Sequence, residues 1–174
     1  MLHPMRLRSL FLAQGGFEHE VFIPAPPETV LAQLARPEDW IRLQPLVIAI
    51  EPAPRHPGML LITDRLELAG LSFRLRYRAH VLPVPGGMDA HAWSFPFVHV
   101  FNRLRCLAER GGTVLRETST LEAPRPLLGY TVETARAAHA TLLAHLAAKV
   151  TNLSPSNFHP RPVDDPSRNA HAQT

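Results

Sequence analysis

From Leu71 to Val84 the chain reads LSFRLRYRAHVLPV, which places Leu71, Phe73, Leu75, Tyr77, Ala79 and Val81 on one side and Arg74, Arg76, Arg78 and His80 on the other. A period of two is the signature of a β-strand, because successive side chains leave the backbone in opposite directions. A strand with one apolar and one cationic face belongs in an antiparallel sheet that buries one side and wets the other. The rest of the chain must therefore supply partner strands and something to cover the apolar face.

Partner strands are plentiful. FEHEVFIP, from Phe17 to Pro24, alternates and stops at a proline. LVIAIEPA and MLLITDRLELAG precede the Leu71 segment, and MDAHAWSF, FVHVFNRLRCLAE and TVLRETSTLEA follow it, each bounded by Gly- or Pro-containing turns. Six strands thus lie between Leu46 and Pro124. Between the first strand and these six, APPETVLAQLAR and PEDWIRLQP read as two short helices, with prolines at their starts, where a missing N–H costs nothing, and acids in their first turns. The cover is the segment after Pro126, where Leu128, Val132, Ala135, His139, Leu142 and Leu146 recur at steps of three and four on one face of a long Ala-rich helix. With 174 residues, of which 45% are hydrophobic and 19% charged, the chain has room for one domain with an ordinary core. Four of its 18 prolines fall in the segment after Asn152, and those from Pro24 to Pro126 mark the element boundaries.

This order of elements, strand, two helices, six strands and a long helix, is an α+β arrangement. In its opening, FEHEVFIPAPPETVLAQLARPEDWIRLQP, and its close, GGTVLRETSTLEAPRPLLGY plus the long helix, the sequence resembles the START-like helix-grip superfamily, also called the SRPBCC, polyketide cyclase/dehydrase and lipid transport, or birch-pollen-allergen-like group. The resemblance covers about Phe17 to Thr151. It implies a curved seven-stranded antiparallel sheet wrapped around the C-terminal helix, with a cavity between them for a hydrophobic small molecule. Within the group the chain looks like bacterial members with a Gly-Pro-aromatic turn, here Phe95-Pro96-Phe97. Those members often carry two histidines in the next strand and an Arg-His pair in the last helix. In this sequence the strand positions are Asn102 and Leu104, and the helix pair is Ala138 and His139, so that only the last histidine is kept. The expected division is an N-terminal extension over residues 1–16, the helix-grip domain over 17–151, and a disordered Pro-rich tail over 152–174.

Periodicity supplies the candidate lining of such a cavity, Leu60, Ile62, Leu66, Phe73, Leu75, Tyr77, Leu115, Leu142 and Leu146, each of which reads equally as core packing without a cavity. Polar residues interrupt the same apolar faces at Asp64, Tyr77, Asn102, Glu117 and His139. Buried polar groups need partners, because an unsatisfied one costs on the order of 1–3 kcal/mol. These five are read as an internal hydrogen-bond network, with Asp64 or Glu117 turned to solvent if the register shifts by one residue, or as the polar end of a ligand cavity, where a carboxylate and an imidazole orient a ligand or move a proton.

No GxSxG, Gly-rich phosphate loop or HExxH is present, and the lone Cys106 has no motif around it. Ten histidines are scattered without the i, i+4 spacing of a metal site. No metal or cofactor is expected. A net charge of +3 does not demand nucleic acid, and the Arg74, Arg76, Arg78 stripe, with Arg103 and Arg105 two strands away, reads as a solvated face without interleaved aromatics. One cysteine permits no internal disulfide, and no run approaches the ~20 apolar residues of a membrane span, so a cytoplasmic protein is expected. The function expected is binding of a lipid, isoprenoid, quinone or polyketide-like molecule, as carrier or sensor. A cyclase or dehydratase using acid/base residues in the same cavity is the alternative. Oligomeric state is not encoded in any of these features.

Overall fold

The computed structural model describes residues 11–68 and 70–153. The expected tail beyond Leu153, and most of the expected N-terminal extension, lie outside the described residues. Seven strands, β1 (Leu12–Ile23), β2 (Val47–Pro52), β3 (Met59–Leu68), β4 (Leu71–Val84), β5 (Gly87–Ser94), β6 (Val98–Glu109) and β7 (Gly112–Pro124), form one antiparallel sheet in the order β1-β7-β6-β5-β4-β3-β2. Five consecutive hairpins run from β2 to β7, and β1 closes the far edge against β7.

Two short helices connect β1 to β2. The first, α1 (Pro27–Leu34), starts with proline and buries Val30 and Leu34. The second, α2 (Pro37–Ile41), buries Trp40 and Ile41, and the Trp40 indole N–H donates to the Leu34 carbonyl at 3.1 Å. That bond ties the two helices together where Pro37 interrupts the chain.

The long helix, α3 (Arg125–Leu153), lies against β1 and β7. It buries Ala138, Leu142, Leu143, Leu146 and Val150. Of these, Leu143, Leu146 and Val150 join Ile23, Val30, Leu34, Met88, Leu104 and Leu115 in a dry core at the end of the sheet occupied by α1 and α2, and Leu142 stands between that core and the rest of the helix–sheet space.

β1 begins at Leu12, earlier than Phe17, where the alternation first becomes visible. Gly15 and Gly16 hide its beginning by supplying no side chain to the pattern. Close approach explains both: a Cβ at position 15 would lie 2.9 Å from Val132 Cγ2, and one at position 16 would collide with the Ser119 carbonyl oxygen.

The convex face of the sheet also departs from the sequence reading. Aromatic and imidazole rings do interleave with arginines, but across strands: Trp93 is the partner of Arg78, and His91 that of Phe101. Trp93, His99, His91 and Phe101 stack with neighbouring rings nearly parallel, and the Arg103 guanidinium lies 5.3 Å from the Phe101 ring centre. Cross-strand neighbours are set by register, which a single strand's sequence does not display.

Candidate functional site

Small residues on β5 and a gap between sheet and helix leave a cavity of about 350 Å³. Its wall on the sheet side includes Ile62 and Leu66 of β3, Phe73, Leu75, Ala79 and Val81 of β4, Ala90 and Ala92 of β5, and Val98 and Val100 of β6. Leu127, Thr131, Thr134, Ala135 and Leu142 of α3 form the roof, and Trp40, Ile41, Gln44 and Leu46 close the end toward the helix pair. Apolar side chains dominate, as is usual for sites that hold small apolar ligands.

Asp64, Tyr77, Asn102 and His139 bring polarity to this wall. Asp64 is buried, and the Tyr77 hydroxyl donates to its Oδ1 over a long 3.4 Å. Burial raises the Asp64 carboxyl from 3.8 to about 6, outweighing the opposing effects of the Tyr77 hydroxyl and the His139 charge. The Tyr77 phenol is driven well above 10, first by burial and then by the neighbouring Asp64 charge and hydrogen bond. Tyr77 is therefore a permanent hydrogen-bond donor at neutral pH, and Asp64 is poised to change charge just below it.

His139 projects from α3, and its Nδ1 lies 2.6 Å from Oε1 of Glu117 on β7. Phe17 of β1 packs against the imidazole in an edge-to-face contact, with ring centres 5.5 Å apart. A carboxylate only accepts, so with Glu117 ionised the proton sits on Nδ1, and Nε2 is the nitrogen left for the cavity. The second Glu117 oxygen, Oε2, is buried with no hydrogen-bond partner among the described residues. On β6, Asn102 Oδ1 accepts from the buried Ser119 hydroxyl at 2.7 Å, which frees the Asn102 amide NH₂ as a donor. The arrangement provides a base or acid at His139 Nε2, neutral donors at Tyr77 and Asn102, and a carboxyl at Asp64.

Nine of the residues singled out from sequence are brought together on the wall: Ile62, Asp64, Leu66, Phe73, Leu75, Tyr77, Asn102, His139 and Leu142. Four are elsewhere. Leu115 and Leu146 are fully buried in the dry core, and Leu60 packs against that core. Glu117 stands behind His139 without bordering the cavity. Alternation reports which face a side chain takes but not how far along the strand the helix closes onto the sheet, and Leu115, Glu117 and Leu146 lie where it has closed. Apart from Asn102, sequence reasoning missed the β5 and β6 wall, although Ala90-x-Ala92 and Val98-x-Val100-x-Asn102 alternate as clearly as β3 does. It also missed the helix-pair end, whose residues carry no period. Cys106 lies off the wall, and burial pushes its thiol up to about 11, which keeps it protonated at neutral pH.

No family model and no curated protein matches the sequence. Solved structures match the fold: the START superfamily protein from Mycobacterium smegmatis superposes with a TM-score of 0.61 and 18% identity, over 80% of this chain and 100% of its own. The chain has the START-like helix-grip fold. The Zhui aromatase/cyclase from Streptomyces sp. R1128 shares the fold at a TM-score of 0.60 and 14% identity, over 83% and 99% of the two chains. Norcoclaurine synthase from Thalictrum flavum, solved in complex with dopamine and hydroxybenzaldehyde, does so at 0.61 and 12%, over 88% and 96%. At such identities the helix-grip likeness is one of fold, and the chemistry must be argued from the side chains.

Proposed function

We propose that the protein binds a hydrophobic small molecule of the lipid, isoprenoid, quinone or polyketide-like class in the helix-grip cavity and serves as its carrier or sensor in the cytoplasm of a bacterial cell. The observation that carries this reading is the cavity itself: about 350 Å³ of space with apolar walls and only a few polar groups. A well-packed interior has few voids larger than a water molecule, so a space of this size is kept for an occupant. Ile62, Leu66, Phe73, Leu75 and Leu142 would contact the apolar body, while Asp64, Tyr77, Asn102 and His139 would bond to a hydroxyl or carbonyl at its polar end. Native mass spectrometry combined with a thermal-shift screen of apolar small molecules tests this. Retention of a stoichiometric ligand supports it, and a chain that neither carries nor takes up any such compound contradicts it.

The 2.6 Å contact between His139 and Glu117 favours a second reading, a cyclase or dehydratase. In that reading His139 Nε2 takes a proton from a carbon next to a ligand carbonyl, and the Tyr77 hydroxyl or the Asn102 amide donates to the carbonyl oxygen as charge builds there. Glu117 holds the imidazole in place and stabilises the imidazolium formed. Hydrogen exchange into a bound ketone, lost in His139→Ala, separates catalyst from carrier.

A further inference from the structure

We propose that the mouth of the cavity docks on an anionic lipid bilayer. Two turns flank that mouth, the β3–β4 turn and the β5–β6 turn, and both hold out apolar side chains. Phe95 is 81% exposed, Leu71 73% and Phe97 68%, and Phe73, two residues along from Leu71, is also exposed. Phe73, Phe95 and Pro96 line the cavity, so these side chains stand where it meets solvent. Scattered exposed leucines need no explanation, but a cluster of this kind at the entrance to an apolar cavity marks an interaction surface.

Charge selects the occupant. The outer face of β2 to β4, which adjoins these turns, carries Arg65, Arg74, Arg76 and Arg78 against only Glu51 and Glu67. Arg65 and Arg74 face each other directly across β3 and β4. Like charges in that position repel, and an anionic partner relieves them. Among the described residues Arg76 has a single distant acid, Glu51 at 3.8 Å, and Arg78 bonds to His56. Apolar tips beside arginines whose stems can lie along hydrocarbon match a bilayer interface with acidic headgroups. A single-stranded nucleic acid fits less well, because the rings of Trp93, His91, His99 and Phe101 are stacked on one another and Arg103 caps the Phe101 end, so their faces are largely spent. Docking here would let an apolar molecule pass between membrane and cavity without crossing water.

The full chain is floated with phosphatidylcholine vesicles, with and without phosphatidylglycerol, at low and high salt. Partition onto the phosphatidylglycerol vesicles that weakens with salt is expected. The exposed pair Phe95→Ser/Phe97→Ser should lower the partition coefficient at least about tenfold, and Arg74→Glu and Arg76→Glu about fivefold or more each. Circular dichroism and Tm confirm that each variant is folded. A Phe97→Trp variant should show a blue-shifted emission on binding that brominated lipid quenches. The proposal is overturned if the wild-type chain stays with the soluble fraction at low salt, if the variants partition like the wild type, or if an oligonucleotide binds the arginine face and the vesicles do not. The cavity reading is tested apart from it, in solutions without vesicles, and survives any of these results.

Discussion

His139 Nδ1 and Glu117 Oε1 are 2.6 Å apart, with Glu117 fully buried on β7 and His139 nearly so on α3. The pair joins the long helix to the middle of β7 beside the cavity. Breaking it from either side should not cost the same. His139→Ala abandons a carboxylate one of whose oxygens already lacks a partner, and uncompensated buried charges cost roughly 3–5 kcal/mol. Glu117→Gln keeps an acceptor for the imidazole and removes the charge, so a loss of about 1 kcal/mol is expected. Urea unfolding of both variants checks this, and the double variant His139→Ala/Glu117→Gln should recover part of the loss.

Asp64 should make stability depend on pH in the direction opposite to a salt-bridged acid. Its folded pKa of about 6 lies above the ordinary 3.8, so between these values the folded chain holds a proton that the unfolded chain has released. The stabilisation is complete below about pH 3.8 and lost as pH rises through about 6. Asp64→Asn removes the penalty of ionising a buried group. Its gain over the wild type should therefore grow from near zero at pH 4 to on the order of 2 kcal/mol at pH 8, measured by urea midpoints across the range.

Filling the cavity should abolish ligand uptake without unfolding the chain. Ala92 borders the space from β5 and Ala135 from α3. Leucine at either position extends into emptiness instead of into packed neighbours, so the usual 1–3 kcal/mol cost of overpacking should be largely absent. The measurement is the ligand-induced shift in Tm found in the thermal-shift screen. It should vanish in Ala92→Leu/Ala135→Leu while the ligand-free Tm stays within a few degrees of the wild type.

How legible all this was depends on what each residue has to tell. The β4 alternation and the three- and four-step pattern on α3 reveal an element whenever side chains carry the period, and the α+β order with its seven strands and covering helix follows from them. Polar interruptions on apolar faces pointed to Asp64, Tyr77, Asn102, Glu117 and His139 for the same reason. Two kinds of fact were hidden. Register across strands placed Trp93 opposite Arg78 and Glu117 opposite Leu104, and no single strand displays that. The point at which the helix meets the sheet decided that Leu146 lies wholly in the core while Leu142, one turn earlier on the same helical face, also borders the cavity.

The sharpest case is Gly16, the last residue of the expected N-terminal extension, which proves to be a strand residue. It pairs with Thr120 in β1–β7, and the Ser119 carbonyl oxygen occupies the space that a Cβ would need. Alanine ordinarily suits a strand interior better than glycine does, by roughly 0.5–1 kcal/mol. Here that preference should reverse, because the obstacle is backbone and cannot rotate away. Displacing β7 at Ser119 would also disturb the hydroxyl that holds Asn102 and, two residues back, the carboxylate that holds His139. Gly16→Ala should therefore destabilise by about 1–3 kcal/mol, within the range of overpacked sites, and weaken ligand retention in native mass spectrometry. Gly58→Ala is the control for replacing a glycine at an open turn: its Cβ meets nothing within 4 Å, and only its positive φ is strained. It should lower stability but leave ligand retention intact. Equal effects of the two substitutions on retention would mean that β1 does not brace the cavity wall.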